Sequence, residues 1–205
     1  MDSVRKKFGN STKEYEHIMA NLELKAKITA ANLDVIDING YKYNVHKMDL
    51  VQLKDFTVLL PIFDDVTVGD CFESTKWIIT CLDPSQKPNE LMVRVDECTI
   101  VPSEGFKPTE YLNTKVTGLF CSSDKCFLRP IGPDQKPFYN ATLKVNNPFG
   151  QSFDVYIVAF GNQAKKLSTL KTKSVIECEV TVKRSKHYPN MEFAIRQVKV
   201  KQEAK

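Results

Sequence analysis

Residues 153–183, FDVYIVAFGNQAKKLSTLKTKSVIECEVTVK, change character twice within 31 residues. SFDVYIVAF is dense in aromatic and β-branched side chains and reads as a strand. NQAKKLSTL reads as a short basic helix, and SVIECEVTVKR returns to alternating apolar and polar residues, the pattern of a half-buried strand. A helix between two strands, in a chain otherwise full of strands, fits a small closed barrel whose end is plugged by that helix.

Working outward, strand patterns recur on both sides. LELKAKITA (22–30) is a strand, and VIDINGYKYNV places an Asn39-Gly40 hairpin turn between two alternating runs. DFTVLLPIFDD follows, with Pro61 marking an edge or a bend. VGDCFESTKWIITCLD, the loop PSQKPN and ELMVRVDECTIV complete a first set of five. PSEGFKPTEY, with two prolines and a glycine in ten residues, reads as a linker. The plan then repeats: YLNTKVTGLF, extended by KCFLRPI, then FYNATLKVN, SFDVYIVAF, the helix, SVIECEVTVKR, the loop SKHYPN and MEFAIRQVKVK. Both final hairpins carry a Pro-Asn step, Pro88-Asn89 and Pro189-Asn190. Two sets of five strands imply an all-β protein of two tandem OB-fold barrels, five-stranded Greek keys, the second with a helix between its third and fourth strands. The expected boundaries are a flexible N-terminal arm at 1–20, a first barrel at 21–102, a linker at 103–111 and a second barrel at 112–202. In the first barrel only DDVTVG is left for the plug junction, so a plain loop is expected there.

Composition agrees with a folded, water-exposed protein: of 205 residues, 42% are hydrophobic and 26% charged. No apolar run approaches the ~20 residues that span a bilayer, and the first residues lack the apolar core of a secretory signal. The expectation is a cytoplasmic protein, bacterial or in the host cytoplasm of a virus, with no membrane partner. Six cysteines are scattered, and CSSDKC, the one close pair (Cys121 and Cys126), has no second pair to complete a four-ligand zinc site. Free thiols, no metal and no cofactor are expected. The net charge of +4 is unevenly spread: 13 Lys+Arg face 17 Asp+Glu up to residue 108, and 16 face 8 beyond it. A basic second half suits a polyanion, and an acidic first half suits some other task.

VYIVAFGNQAKKLSTLKTKSVIECEVTVK resembles the bacterial single-stranded-DNA-binding protein family, in which an apolar strand ends in Phe-Gly and an amphipathic helix leads to a long strand. Phe160-Gly161 matches that strand end, and the resemblance covers roughly the last 90 residues. The chain departs from the family in having Ser174 after Lys173 where the family has glycine. It also lacks the tryptophan at the start of the third strand, near Asp154, and closes on KVKQEAK instead of an acidic tail with an apolar tip. Two barrels in one chain fit a divergent tandem form, phage or plasmid encoded. The resemblance implies binding of single-stranded DNA in replication, recombination and repair.

Binding a single strand needs aromatic faces for bases and cations for phosphates. Alternation puts Val155, Ile157 and Ala159 inside and Tyr156, Val158 and Phe160 outside. The resemblance implies a base-stacking role for Phe160, with Tyr156 on the same face, although both rings would also suit a hydrophobic minicore or a subunit interface. VKRSKHYPNME gathers Lys183, Arg184, Lys186, His187 and Tyr188 in a hairpin that flanks the groove in such barrels, or that is merely a solvated basic tip. Lys144, Arg129 and Lys125 extend the cationic track. In the first half Tyr41 and Tyr43 share a face that is either a stacking platform or barrel core, and Trp77 is expected to be buried beside Ile79. No phosphate loop, nucleophile elbow or His-Cys metal motif supports an enzyme. Asp64-Asp65 reads as a solvated turn. The expected partner is therefore single-stranded DNA, with RNA admitted, and a homo-oligomer or replication proteins beside it. The alternative is a scaffold or interaction subunit of a replication or viral assembly that binds no nucleic acid.

Overall fold

The computed structural model describes residues 23–62, 66–82, 91–123, 125–184 and 191–204. β1 (Leu24–Ile38) and β2 (Tyr41–Asp49) form a hairpin whose turn residues both lie at positive φ, Asn39 at 54° and Gly40 at 87°. That is the backbone that Asn-Gly favours, and it matches the natural twist of two strands. LELKAKITA and VIDI, two runs in the sequence, are one 15-residue strand. Register shifts between Ile28 and Asp34 bend it, so that Leu24–Lys27 pair with one neighbour while Lys27–Ile38 pair with β2. β3 (Phe56–Pro61), β4 (Cys71–Thr80) and β5 (Met92–Val101) complete a closed barrel in the order β1-β2-β3-β5-β4. β3 and β5 run parallel, and β1 closes antiparallel on β4.

The second half repeats this topology. β6 (Leu112–Cys121), β8 (Lys136–Asn146), β9 (Ser152–Phe160), β10 (Val175–Arg184) and β11 (Met191–Gln202) occupy the same five places. β9 and β11 are parallel, and three pairs from Leu119–Lys144 to Cys121–Thr142 bring β6 back to β8. KCFLRPI does not extend β6. Its last residues form a separate strand, β7 (Arg129–Ile131), that hairpins onto β8. The reversal is made by residues 132–135, with Gly132 at φ 70°, Gln135 at φ 49°, and the Gln135 N–H donating to the Gly132 carbonyl at 3.2 Å.

α1 (Gly161–Ser168) leaves the end of β9 and buries Ala164 and Leu167 against the barrel. Lys166 Nζ donates to the Val198 carbonyl at 2.6 Å, tying the helix to β11. At the matching junction of the first barrel the described residues hold no helix. Val66 is buried there, and its carbonyl accepts from Asn32 Nδ2 at 2.9 Å. Trp77 is fully buried, as Ile79 is.

The barrels are not loosely strung. Thr109, within the expected linker, donates its N–H to the Lys25 carbonyl at 2.8 Å and accepts from the Val51 N–H at 3.1 Å. Buried apolar side chains of both barrels belong to one contiguous cluster. Further hydrogen bonds cross the seam from Arg184 to the Lys54 carbonyl and from Asn147 Nδ2 to the Leu82 carbonyl.

Candidate nucleic-acid interface

β9 presents Val155, Ile157 and Ala159 to the interior, all fully buried. Pleating then turns Tyr156, Val158 and Phe160 outward. Phe160 remains 36% exposed, Tyr156 is half-buried, and Val158 is buried among its neighbours on the sheet. Cross-strand pairing sets Phe138 of β8 opposite Phe160, and their ring centroids lie 5.4 Å apart at a 59° tilt. Such tilted pairs place the positive edge of one ring toward the negative face of the other.

The β7–β8 hairpin adds charge to these rings. Arg129 is paired in register with Phe138, and its guanidinium carbon stands 5.0 Å from the Phe138 centroid and 5.5 Å from that of Phe127. Lys136 Nζ stands 5.8 Å from the Phe160 centroid. All three distances are those of cation–π contact. Phe127 is 54% exposed, so this group of three rings and two cations opens to water. Beside it an open recess of about 350 Å³ is lined by Ile131, Gly132, Pro133, Asp134, Lys136 and Phe160.

Down the same face, Tyr156 accepts a hydrogen bond from Asn140 Nδ2 at 2.8 Å, which fixes its ring. Lys144 is exposed near the far end, opposite Asp154. The result is a face with rings at one end, an anchored tyrosine in the middle and a lysine below. The outer surface of β6, β10 and β11 differs: Lys115 pairs with Glu179 at 3.4 Å and Lys201 with Glu177 at 3.1 Å, so those cations are met by carboxylates.

The remaining expected residues are scattered. Lys183 is exposed and faces Glu192 across the β10–β11 ladder. Arg184 turns to the first barrel and donates to the Lys54 carbonyl at 2.8 Å, so part of its guanidinium is engaged in the seam. Lys186, His187 and Tyr188 lie outside the described residues, as do Asp64 and Asp65. Tyr41 is 72% exposed at a hairpin tip, whereas Tyr43 is only 7% exposed. Tyr43 packs with Ile38, Leu59 and Met92, and its phenol donates to Asp96 Oδ1 at 3.2 Å. Burial, reinforced by Asp96, raises the Tyr43 pKa. The shared platform of Tyr41 and Tyr43 therefore does not form, because only one of the two rings reaches solvent.

Phe127, Lys136 and Phe138 were absent from the sequence-based set. Alternation along KPFYNATLKVN places Lys136 and Phe138 on the outward face of Lys144, and that signal was available. Phe127 precedes a strand that local pattern did not reveal. Burial pushes the Cys98 thiol up to about 11 and raises Cys71, Cys121 and Cys178, which favours the protonated, unreactive form of these four. Among the described residues, no group of three or more His, Cys, Asp or Glu could hold a metal, and no helix is long and apolar enough to cross a membrane.

No protein-family model matches the sequence, and no curated protein matches it. Solved structures do. The chain is similar to the wild-type single-stranded DNA binding protein from Thermus aquaticus, with a TM-score of 0.59 at 13% identity, over 89% of this chain and 93% of that one. A deletion mutant of the Thermus aquaticus protein aligns with a TM-score of 0.58 at 12% identity, over 89% of this chain and 95% of the other. At that identity the likeness establishes the architecture, two tandem OB barrels over nearly the whole chain.

Proposed function

We propose that the protein binds single-stranded DNA with little sequence preference, through the outer face of β7, β8 and β9 in the second barrel. One observation carries the reading: Phe127, Phe138 and Phe160 are gathered with Arg129 and Lys136 on one exposed surface. Rings left in water and backed by cations suit unpaired bases, whose faces stack while phosphates meet the charges; each stacked base contributes on the order of 1–3 kcal/mol. A duplex hides its base faces and gains only the charge term. The fold shared with proteins named for single-stranded DNA binding supports the same reading.

In this role the protein acts by binding, without catalysis, in replication, recombination or repair. Residues 21–102 and 112–202 serve as separate working units joined by 103–111, and Tyr156, Lys144 and Lys183 extend the track. Lys186 and Tyr188 would add to it from the β10–β11 hairpin. RNA offers the same base faces, so an RNA strand belongs in the same assay.

The test is fluorescence anisotropy with a labelled strand of ~30 nucleotides, long enough for several barrel site sizes, and with its duplex, at two salt concentrations. The expected result is at least about tenfold preference for the single strand, weakening with salt by about 0.7 in log–log slope for each phosphate contacted. Absence of binding at low salt would sink the proposal and leave a scaffold protein.

A further inference from the structure

Two exposed aromatic side chains stand where the barrels meet. At the tip of the β1–β2 hairpin, Asn39 Nδ2 donates to the Pro148 carbonyl at 3.4 Å. Pro148 lies in the turn between β8 and β9, which is held rigidly. Asn147 Oδ1 accepts from the N–H groups of Phe149 and Gln151 at 3.0 and 2.8 Å, while its Nδ2 reaches the Leu82 carbonyl at 3.2 Å. The turn is thus fastened to the first barrel at two points. Phe149 within it is 49% exposed, and Tyr41, two residues beyond Asn39, is 72% exposed.

Neither ring sits on a loose loop. The hairpin tip is locked by the Gly40 N–H donating to Asp37 Oδ1 at 2.8 Å. Tyr41 pairs with Ile38 and shares a sheet face with Tyr43, yet those two are buried and only Tyr41 reaches water. The turn bearing Phe149 directly continues β8 and β9, whose outer faces carry the rings and cations described above. From Phe160 to Ser152 that face runs eight residues, about 26 Å at ~3.3 Å per residue. This is room for a strand at the lower end of the roughly 4–16 nucleotides that one such barrel holds.

We infer that Tyr41 and Phe149 form a second stacking platform at the seam, over which a longer single strand passes from the second barrel onto the hairpin of the first. The inference rests on the single-strand binding proposed for the second barrel and deepens it by giving the strand a path. It assigns Phe149 a ligand role, and it makes affinity depend on length in a way one barrel would not.

The test uses the full chain with oligothymidylates of ~4 and ~25 nucleotides, one at the lower end of a single barrel's site range and one beyond its upper end. Replacing both rings, Tyr41→Ala with Phe149→Ala, is expected to weaken the longer strand about tenfold or more while the shorter changes less than about twofold. Equal affinity of variant and native protein for both lengths would overturn the platform, as would an equal loss at both. If the native protein binds neither length, the reading of the second barrel itself fails, and the platform with it. A second measurement does not depend on the variants folding: photocrosslinking of the native protein to a 25-mer carrying 5-iododeoxyuridine. Adducts on Tyr41 or Phe149 support the path, and adducts confined to Phe127, Phe138, Tyr156 and Phe160 refute it.

Discussion

In the first barrel Val58 and Leu59 of β3 lie beside Val93 and Arg94 of β5; in the second, Ile157 and Val158 of β9 lie beside Phe193 and Ala194 of β11. Counting outward from these parallel contacts, the fifth strand of each barrel carries an extra residue at the same place, Asp96 in one and Arg196 in the other. Tyr43 faces Pro61 where Phe138 faces Phe160, and Lys47 faces Thr57 where Thr142 faces Tyr156. The same register sets Asp49 against Lys144. Most interior positions keep their apolar character across the repeat, His46 being an exception, while outer positions are exchanged: acid for base and small or cyclic side chains for aromatic rings. In the first barrel this face is occupied by the molecule itself. Ile38, Tyr43, Leu59 and Met92 pack together, and Arg94 pairs with Asp96 at 2.9 Å beneath the Tyr43 hydroxyl. Barrel closure constrains the inside, leaving the outside free to become either a packing surface or a binding surface.

If that division is real, emptying the second face should cost far more binding than altering the first. Phe138→Ala with Phe160→Ala is expected to lower affinity for single strands by about 100-fold, two stacked bases being lost at roughly 1–3 kcal/mol each. Tyr43→Phe, at the place matching Phe138, should leave affinity unchanged and reduce stability by about 1 kcal/mol, the scale of one hydrogen bond. Titration of a labelled oligonucleotide beside denaturant unfolding separates the two effects. Comparable losses of affinity from both changes would erase the distinction between the barrels.

Closure itself differs at one matched position. Ala26 pairs with Phe72 in the first barrel, and Gly118 pairs with Ile176 in the second. A Cβ on Gly118 would lie 2.7 Å from the Lys144 carbonyl oxygen and 3.1 Å from Val145 Cγ2, so β6 and β8 would have to separate. Gly118→Ala is expected to destabilise the protein by about 2 kcal/mol, within the range for overpacked sites. Ala26→Gly should cost only about 1 kcal/mol, from chain entropy and a lost methyl. Urea unfolding midpoints test the ranking, and a neutral Gly118→Ala would show that the second barrel is not closed tightly there.

Charge reversal can be tested at Lys144, which stands where the first barrel has Asp49. Lys144→Ala should weaken single-strand binding several-fold and reduce the salt slope by about 0.7, the share of one phosphate contact. The same change at Lys115, already paired with Glu179, should alter neither quantity. Equal effects at the two lysines would mean that general positive charge, and not the β8–β9 face, governs binding.

Much of this arrangement was legible in the sequence, for local reasons. The Asn39-Gly40 turn, the plug helix and the inward and outward sides of β9 depend on turn chemistry and on periods of two and 3.6, which a few residues suffice to express. The ring cluster was harder to read because three short-range patterns had to be brought together. Phe160 stood out by itself, but Phe138 joins it only through the β8–β9 register and Arg129 only through the β7 hairpin. Tyr43 shows the limit of alternation. Period two assigns a side chain to a face of the sheet, and what lies over that face is decided elsewhere in the chain, here by Met92 and Leu59 packing around it. Arg184, read as a groove cation, turns to Lys54 for the same reason: its partner lies 130 residues away.

The smallest predicted difference lies inside the barrels, at His46. Its counterpart by register is Ala141, so a titratable ring fills the first interior where a methyl fills the second. His46 is fully buried; its Nδ1 accepts from the Asn32 N–H at 3.2 Å, and its Nε2 has no hydrogen-bond partner among the described residues. Burial lowers its pKa below the ordinary value of 6.5. Well above that pH the ring is neutral in both folded and unfolded chains and stability does not depend on it. As pH falls through 6.5 the unfolded chain takes up a proton that the folded barrel resists, so stability declines toward acid until the folded ring also protonates. Protonation would also remove the lone pair that holds Asn32, a residue at φ 52° in the bend of β1. Amide protection, corrected for the intrinsic pH dependence of exchange, should therefore fall at Asn32 and along β1 and β2 as pH drops below 6.5, while β8 and β9 show no such change. His46→Gln, which retains an acceptor but does not titrate, should abolish that acid response. If protection in the two barrels falls in parallel, or the variant keeps the response, the acid sensitivity belongs to carboxylates that both halves share and not to the ring that distinguishes them.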